Sequence, residues 1–246
     1  MRSPPHPDWI VPDWPAARRV RALITTRAGG TSSGNFASLN LSERVGDDPQ
    51  CVARNRAILR ECLPAEPMWM RQVHGTGVID AEHAAPETEA DAAVTRRAGR
   101  VCAVTTADCL PVFLSDRAGR VAGIAHAGWR GLAGGVIEST VRAMGSPDDL
   151  IAYIGPGIGP HRYEVGDDVR RAFADRDRAA ADSFAPARAG KYLADLYALA
   201  RGRLAAAGVT DVYGGGLCTA SEARFFSFRR DRTTGRMASL IWLEDD

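Results

Sequence analysis

With 246 residues the chain is long enough to bury a sizeable core, and its 31 basic and 30 acidic side chains nearly cancel. The two signs are well mixed along the sequence, which argues against a dedicated nucleic-acid binder. Five cysteines, at 51, 62, 102, 109 and 218, carry no C-x-x-C pair and no preceding secretory signal, and no stretch approaches the roughly 20 apolar residues of a membrane span. Free thiols in a soluble, cytoplasmic protein are therefore expected, as a monomer or weak homo-oligomer with no membrane partner.

Residues 1–19 read as a Pro-rich lead-in, ahead of one domain expected over 20–246. Residues 20–26 (VRALITT) predict a β-strand, and the loop that follows, 27–41, is too long and too polar to be only a turn. Residues 47–62 predict a helix, with acids and a proline in the first turn and Val52 and Leu59 at helical spacing. Four short β-type segments, 68–73, 101–106, 111–115 and 121–126, make the expected core sheet, the last two joined by the turn-like Asp116-Arg117-Ala118-Gly119. The acidic run 81–90 is expected as a surface excursion. A helix is predicted over 132–144, then a strand over 150–154 that runs into the Gly-Pro run 155–160. Helices over 165–173 and 193–207 follow, the second closed by Gly208. The tail reads as β at 209–213, 224–228 and 237–243. Strands and helices alternate without a clean βαβ rhythm. The expected fold is α/β (α+β), a single-domain layered sandwich of mixed β-sheets covered by helices.

Of the five histidines, His6 and His83 lie in solvated contexts, and His161 follows the Gly-Pro run, where a structural role is expected. His74 and His126 differ, because each ends an apolar strand-like segment and is followed by a glycine or Ala-Gly. Cys109 sits between two predicted strands. Two imidazoles and one thiolate at strand ends suit zinc, and three protein ligands leave a fourth position open, as in catalytic sites. The residues alone leave a rival open, in which Cys109 is a nucleophile and His126 or His74 its base. The other four cysteines are expected to pack as small apolar residues. Neither the Gly29, Gly30, Gly34 loop nor the run 155–160 completes a dinucleotide or P-loop fingerprint. Arg27, Arg130, Arg229 and Arg230 flank glycine or aromatic segments and are candidates for holding phosphate through bidentate hydrogen bonds.

The segments RAGGTSSGNFASLNL, MRQVHG, TTADCLPV, AHAGWRGLAGG, IGPGIGPHRYEVG and FFSFRRDRTTGRMASLIWL together closely resemble the YfiH family, also called laccase-domain or peptidoglycan-editing-factor proteins. The resemblance runs from about Arg27 to the C-terminus in the family's order. It implies an α/β sandwich-like domain over 20–246 and a zinc site made of His74, Cys109 and His126, all intact here. It also implies purine nucleoside phosphorylase activity toward adenosine, inosine, guanosine or methylthioadenosine, with adenosine deamination alongside. Where many relatives carry Tyr or His before the double arginine, this chain has Phe228, which removes any polar role there.

On that reading Cys109 and His126 are catalytic as well as metal-binding, and Asp108 is the nearest carboxylate to shuttle protons, a turn-forming role being its alternative. Phosphorolysis requires positive groups around phosphate, which points to Arg27, Arg229 or the metal. Asn40 and Gln72 are candidates for hydrogen bonds to sugar or base. Two rival functions remain: amide hydrolysis of a cell-wall precursor, as the editing-factor name suggests, and a metal that only supports partner binding. Copper polyphenol oxidation fits poorly, since multicopper centres use many histidines and this chain has five and no His-x-His pair. Copper can nonetheless displace zinc on overexpression, which would make oxidase activity adventitious.

Overall fold

The computed structural model describes residues 6–146, 149–188 and 190–245. The first five residues of the lead-in lie outside that set. The strands are β1 (Val20–Ile24), β2 (Val78–Asp80), β3 (Ala92–Thr95), β4 (Cys102–Thr106), β5 (Leu110–Asp116) and β6 (Ala122–Ala127). They continue with β7 (Leu150–Ile154), β8 (Glu164–Gly166), β9 (Phe184–Pro186), β10 (Lys191–Ala194), β11 (Asp211–Gly214) and β12 (Met237–Leu243). The helices are α1 (Pro49–Arg60), α2 (Trp129–Gly134), α3 (Val136–Met144), α4 (Asp167–Ala174), α5 (Leu196–Ala206) and α6 (Phe228–Asp231).

Alternating side chains sort the strands into layers. In β5, Val112 and Leu114 face one core while Phe113 between them faces another. In β12, Leu240 and Trp242 point one way and Ile241 and Leu243 the other. A period of two with both faces apolar is what a sheet covered on both sides requires. The six-stranded mixed sheet, in order β11-β7-β5-β6-β3-β2, accordingly lies between helices α2, α3 and α5 and the antiparallel sheet β1-β12-β4. The outer face of that smaller sheet is closed by Leu59 of α1 and by Trp69. Each large side chain fully buried in these layers, such as Phe113 or Leu110, contributes about 1.5–3 kcal/mol. The layered sandwich of mixed sheets and helices is thus the observed architecture.

Several expected elements take another form. Residues 68–73 are extended but make only isolated bridges, Met68 to Cys102 and Arg71 to Glu89, and so form no strand. The strand expected over 224–228 does not form: residues 224–227 are irregular and lead into α6, which begins at Phe228 and whose first turn is capped by Ser227. The helix expected over 132–144 starts earlier, at Trp129, and is broken at Gly135, whose φ of 105° opens a new helix. The helices near 165 and 193 start later, at Asp167 and Leu196, because the residues before them pair as β8 and β10; Asp195 caps α5 by accepting from the Ala198 N–H. The run 81–90 is anchored at both ends by fully or nearly fully buried alanines, Ala81 and Ala90, between the unforeseen strands β2 and β3. The Pro-rich lead-in also packs: Trp9 is buried, Ile10 bridges Ile24, and Trp14 meets the Tyr153 ring.

Candidate metal centre

The two sheets meet where the chain leaves β4 in one and enters β5 in the other, across Ala107, Asp108 and Cys109. The crossing is sharp, and Asp108 takes a φ of 95°, a backbone state costly for any residue with a Cβ. Cys109 is thereby presented beside β6, which pairs with β5 in the register Pro111 to His126. His126 is almost fully buried. His74 arrives from a third direction, on the loop before β2, and also has a positive φ of 59°.

Cys109 Sγ and the available ring nitrogens of His74 and His126 lie within 4.8 Å of one another. The His74 Nε2 to Cys109 Sγ separation is 4.0 Å, and the two imidazoles stand edge to face with centroids 4.8 Å apart. Among the described residues this is the one group of three donors that converges so. Gly128 keeps the space open: a Cβ there would stand 2.9 Å from both Cys109 Sγ and His74 Cδ2. Gly131 allows α2 to sit against the His74 loop, since a Cβ there would meet the Gly75 carbonyl at 2.8 Å.

A buried carboxylate that sequence reading did not single out organises the group. Asp91, fully buried just before β3, accepts through Oδ1 from the His74 backbone N–H at 3.0 Å and is 2.8 Å from His126 Nδ1. Its Oδ2 accepts from the backbone N–H groups of Val73 at 3.1 Å and Gly75 at 2.6 Å. One side chain therefore fixes the strained His74 turn and the His126 ring together. With Nδ1 facing the carboxylate, His126 keeps Nε2 as its ligand atom, the arrangement that orients metal-bound histidines. The sequence signal was faint: a single acid ahead of the apolar run Ala92-Ala93-Val94.

The electrostatics agree with a thiolate ligand. Burial pushes the Cys109 thiol up, but the charge and hydrogen bond of His126 and the hydrogen bond of His74 outweigh it and bring it down to about 6. Burial pushes His126 down, and the Cys109 thiolate and Asp91 together carry it up to about 9. Asp91 is itself destabilised as a charge by burial, yet His126 and the backbone donors hold it below the usual carboxylate range.

The three donors border a cavity of about 530 Å³, also lined by Gln72, Asp108, Trp129, Tyr163, Phe228 and Arg229. Gln72 lines it with its amide engaged: Oε1 accepts from the Thr105 N–H and hydroxyl, and Nε2 donates to the Thr105 carbonyl. Asp108 accepts from the Thr219 hydroxyl and the Arg229 backbone N–H, both at 2.6 Å, the bonding of the turn-forming alternative. Arg229 reaches the cavity beside Tyr163, with Nη1 donating to the Glu164 carbonyl. Arg130 lines the cavity as well, stacked on Trp129.

Other candidates stand elsewhere. Arg27 donates to the Ala37 carbonyl and covers the Phe226 ring, outside the cavity lining. Asn40 is fully buried, where it bonds Ser42, Asp47 and the Arg236 backbone and so holds loops together. Arg230 donates to the carbonyls of Thr219, Glu222 and Phe225 and pairs with Asp231. Cys218 accepts from the Gly159 N–H, away from the donors. Arg236 lines the cavity and was not anticipated from sequence.

A family model described as multi-copper polyphenol oxidoreductase laccase matches residues 21–244. The chain belongs to the YfiH family. A purine nucleoside phosphorylase of Pseudomonas aeruginosa is 51% identical over 240 residues, covering 96% of this chain and 99% of the relative. The purine nucleoside phosphorylase YfiH of Escherichia coli is 48% identical over 239 residues, covering 95% and 98%. Among solved structures, Neisseria meningitidis protein NMB0706 superposes with a TM-score of 0.93 at 50% identity, over 96% of this chain and 99% of that one. A Bacillus licheniformis YfiH protein gives 0.85 at 34% identity, over 92% and 93%. The YfiH fold in this chain is therefore the one that its sequence motifs implied, with the His-Cys-His group at the junction of its two main sheets.

Proposed function

We propose that this chain is a zinc-dependent purine nucleoside phosphorylase, taking adenosine, inosine, guanosine or methylthioadenosine with phosphate, and that adenosine deamination occurs at the same site. The observation that carries this reading is the convergence of His74, Cys109 and His126 on the wall of a cavity large enough for a nucleoside, in a chain about half identical to relatives named for that activity. The donor set suits zinc: one soft thiolate, two imidazoles, and a carboxylate behind His126. When bound, zinc supplies a Lewis acid with one open position.

The chain's own residues do the rest. Asp91 holds the His74 turn and the His126 ring in place before substrate arrives. Arg229 presents its guanidinium to the cavity to hold phosphate, its backbone fixed by Asp108. Trp129, Tyr163 and Phe228 supply apolar and aromatic surface for the purine. Gln72 and Asp108 shape the wall, Gln72 rather than bonding sugar or base and Asp108 rather than moving protons, because their polar atoms are already engaged. Copper would be a competitor for the soft donors, and the one group of three donors among the described residues is too small for a multicopper centre.

A second reading has a specific observation behind it. Asp91, His126 and Cys109 stand in the order of a carboxylate-imidazole-thiol triad, with the thiol and imidazole pulled toward their charged forms. Metal content and phosphate-dependent release of hypoxanthine from inosine, measured on wild type and on His74→Ala, Cys109→Ala and His126→Ala, separate the two. Near one zinc per chain, lost with activity in all three variants, upholds the metalloenzyme. Metal-free wild type that stays active, and loses activity when Cys109 or His126 is changed but not when His74 is, makes it a thiol enzyme.

A further inference from the structure

Among the arginines that border the cavity, Arg44 pairs with Glu87 and Arg56 with Glu43. Arg130, Arg229 and Arg236 have no carboxylate at ion-pair distance among the described residues. Arg130 is exposed, so water compensates its charge. Arg236 is half-buried, on the turn that leads into β12. Its Nη1 donates to the carbonyls of Thr234 at 2.9 Å and Gly235 at 3.0 Å, and its backbone N–H to Asn40 Oδ1 at 2.9 Å. Nε and Nη2 make no hydrogen bond to the protein among the described residues. A partly desolvated guanidinium with no carboxylate in ion-pair contact carries a cost, and a binding site is where that cost is offset by a ligand.

We propose that Arg236, with Arg229, forms the oxyanion subsite of this cavity, and that the anion is inorganic phosphate. The inference rests on the phosphorolysis reading but names a residue outside it. The free edge of the Arg236 guanidinium is the planar pair of donors that grips two phosphate oxygens, and its anchored Nη1 sets the plane in advance. Asn40, buried and outside the cavity lining, then acquires a purpose: it fixes the backbone from which Arg236 projects. Of the lining carboxylates, Glu43 and Glu87 are paired with their own arginines, and the two oxygens of Asp108 accept from the Thr219 hydroxyl and the Arg229 N–H.

The test uses the full zinc-loaded chain, with Arg236→Gln and Arg236→Lys. In the Gln variant the phosphate KM is expected to rise about ten- to a hundredfold, while the inosine KM moves less than about threefold. The Lys variant, which keeps the charge without the fork, is expected to fall between the two and serves if the Gln variant does not fold. A phosphate KM equal to wild type in the folded variants overturns the assignment. Wild type without any phosphate-dependent turnover removes the phosphorolysis reading instead. Calorimetric titration of inorganic phosphate into the same proteins then decides the subsite by itself. Binding lost in the Gln variant upholds it; equal binding, or none to wild type, overturns it.

Discussion

Replacing Asp91 by Asn keeps the volume and removes the one group that serves both histidines. In the native structure Oδ1 serves the His74 N–H and His126 Nδ1, and Oδ2 serves the N–H groups of Val73 and Gly75. An amide offers one oxygen and one NH2, so in either orientation two buried donors lose their acceptor. At about 1–3 kcal/mol each, the loss is about 2–6 kcal/mol against a total stability of roughly 5–15 kcal/mol. For a chain of this size that lowers the melting temperature of the metal-free protein by at least roughly 4 °C. The His74 turn, held at φ 59°, is released, and His126 is no longer oriented by a charge, so zinc affinity should drop about ten- to a hundredfold. Competition against a colorimetric chelator measures the affinity, and calorimetry of the apo protein measures the melting. A variant that binds zinc within about threefold of wild type and melts at the same temperature would show that Asp91 does not position these ligands.

Gly128→Ala has an ordinary backbone, with φ −70°, but its methyl carbon would stand 2.9 Å from two ligand side chains. Zinc affinity should fall about tenfold or more, measured by the same competition, while the far-UV circular dichroism of the apo protein stays unchanged. Tyr197→Phe removes the hydroxyl that accepts from the buried Gly157 N–H at 2.8 Å and donates to the Leu217 carbonyl at 2.6 Å. Its urea midpoint should fall by an amount worth about 1–3 kcal/mol, and an unchanged midpoint would contradict that coupling. Asp116 is held below the usual carboxylate range: burial opposes its charge, but the Arg120 guanidinium and the N–H groups of Val121 and Arg120 outweigh it. A depressed folded pKa adds stability above the unfolded value near 3.9 that is lost as pH falls through the folded value. The stability gap between wild type and Asp116→Asn should therefore be full at neutral pH and shrink below about pH 4 in acid titrations of melting temperature.

The sequence by itself determined the elements whose pattern is local. Short apolar β-type segments placed β1, β4, β5, β6, β7 and β12; Asp48 and Pro49 opened α1; and His74, Cys109 and His126 stood out as candidate donors, left between a metal site and a thiol nucleophile until the family resemblance was added. Only the tertiary structure decided what depends on contacts between distant segments. Strands β2 and β3 are too short to announce themselves, and they exist because the long-range ladder to β6 exists. The segment 68–73 has strand composition but no ladder partner along its length, so it stays irregular. Asp91 is a single charged residue with no motif around it, and Arg236, within the segment FFSFRRDRTTGRMASLIWL, has no local signal that sets it apart from its arginine neighbours. Their surroundings come from the fold, which brings four donors to the buried carboxylate and sets the half-buried guanidinium against two backbone carbonyls on the cavity wall. Arg27 and Asn40 show the converse: polar residues in a glycine-rich loop look available in sequence, and folding engages them with neighbouring backbone.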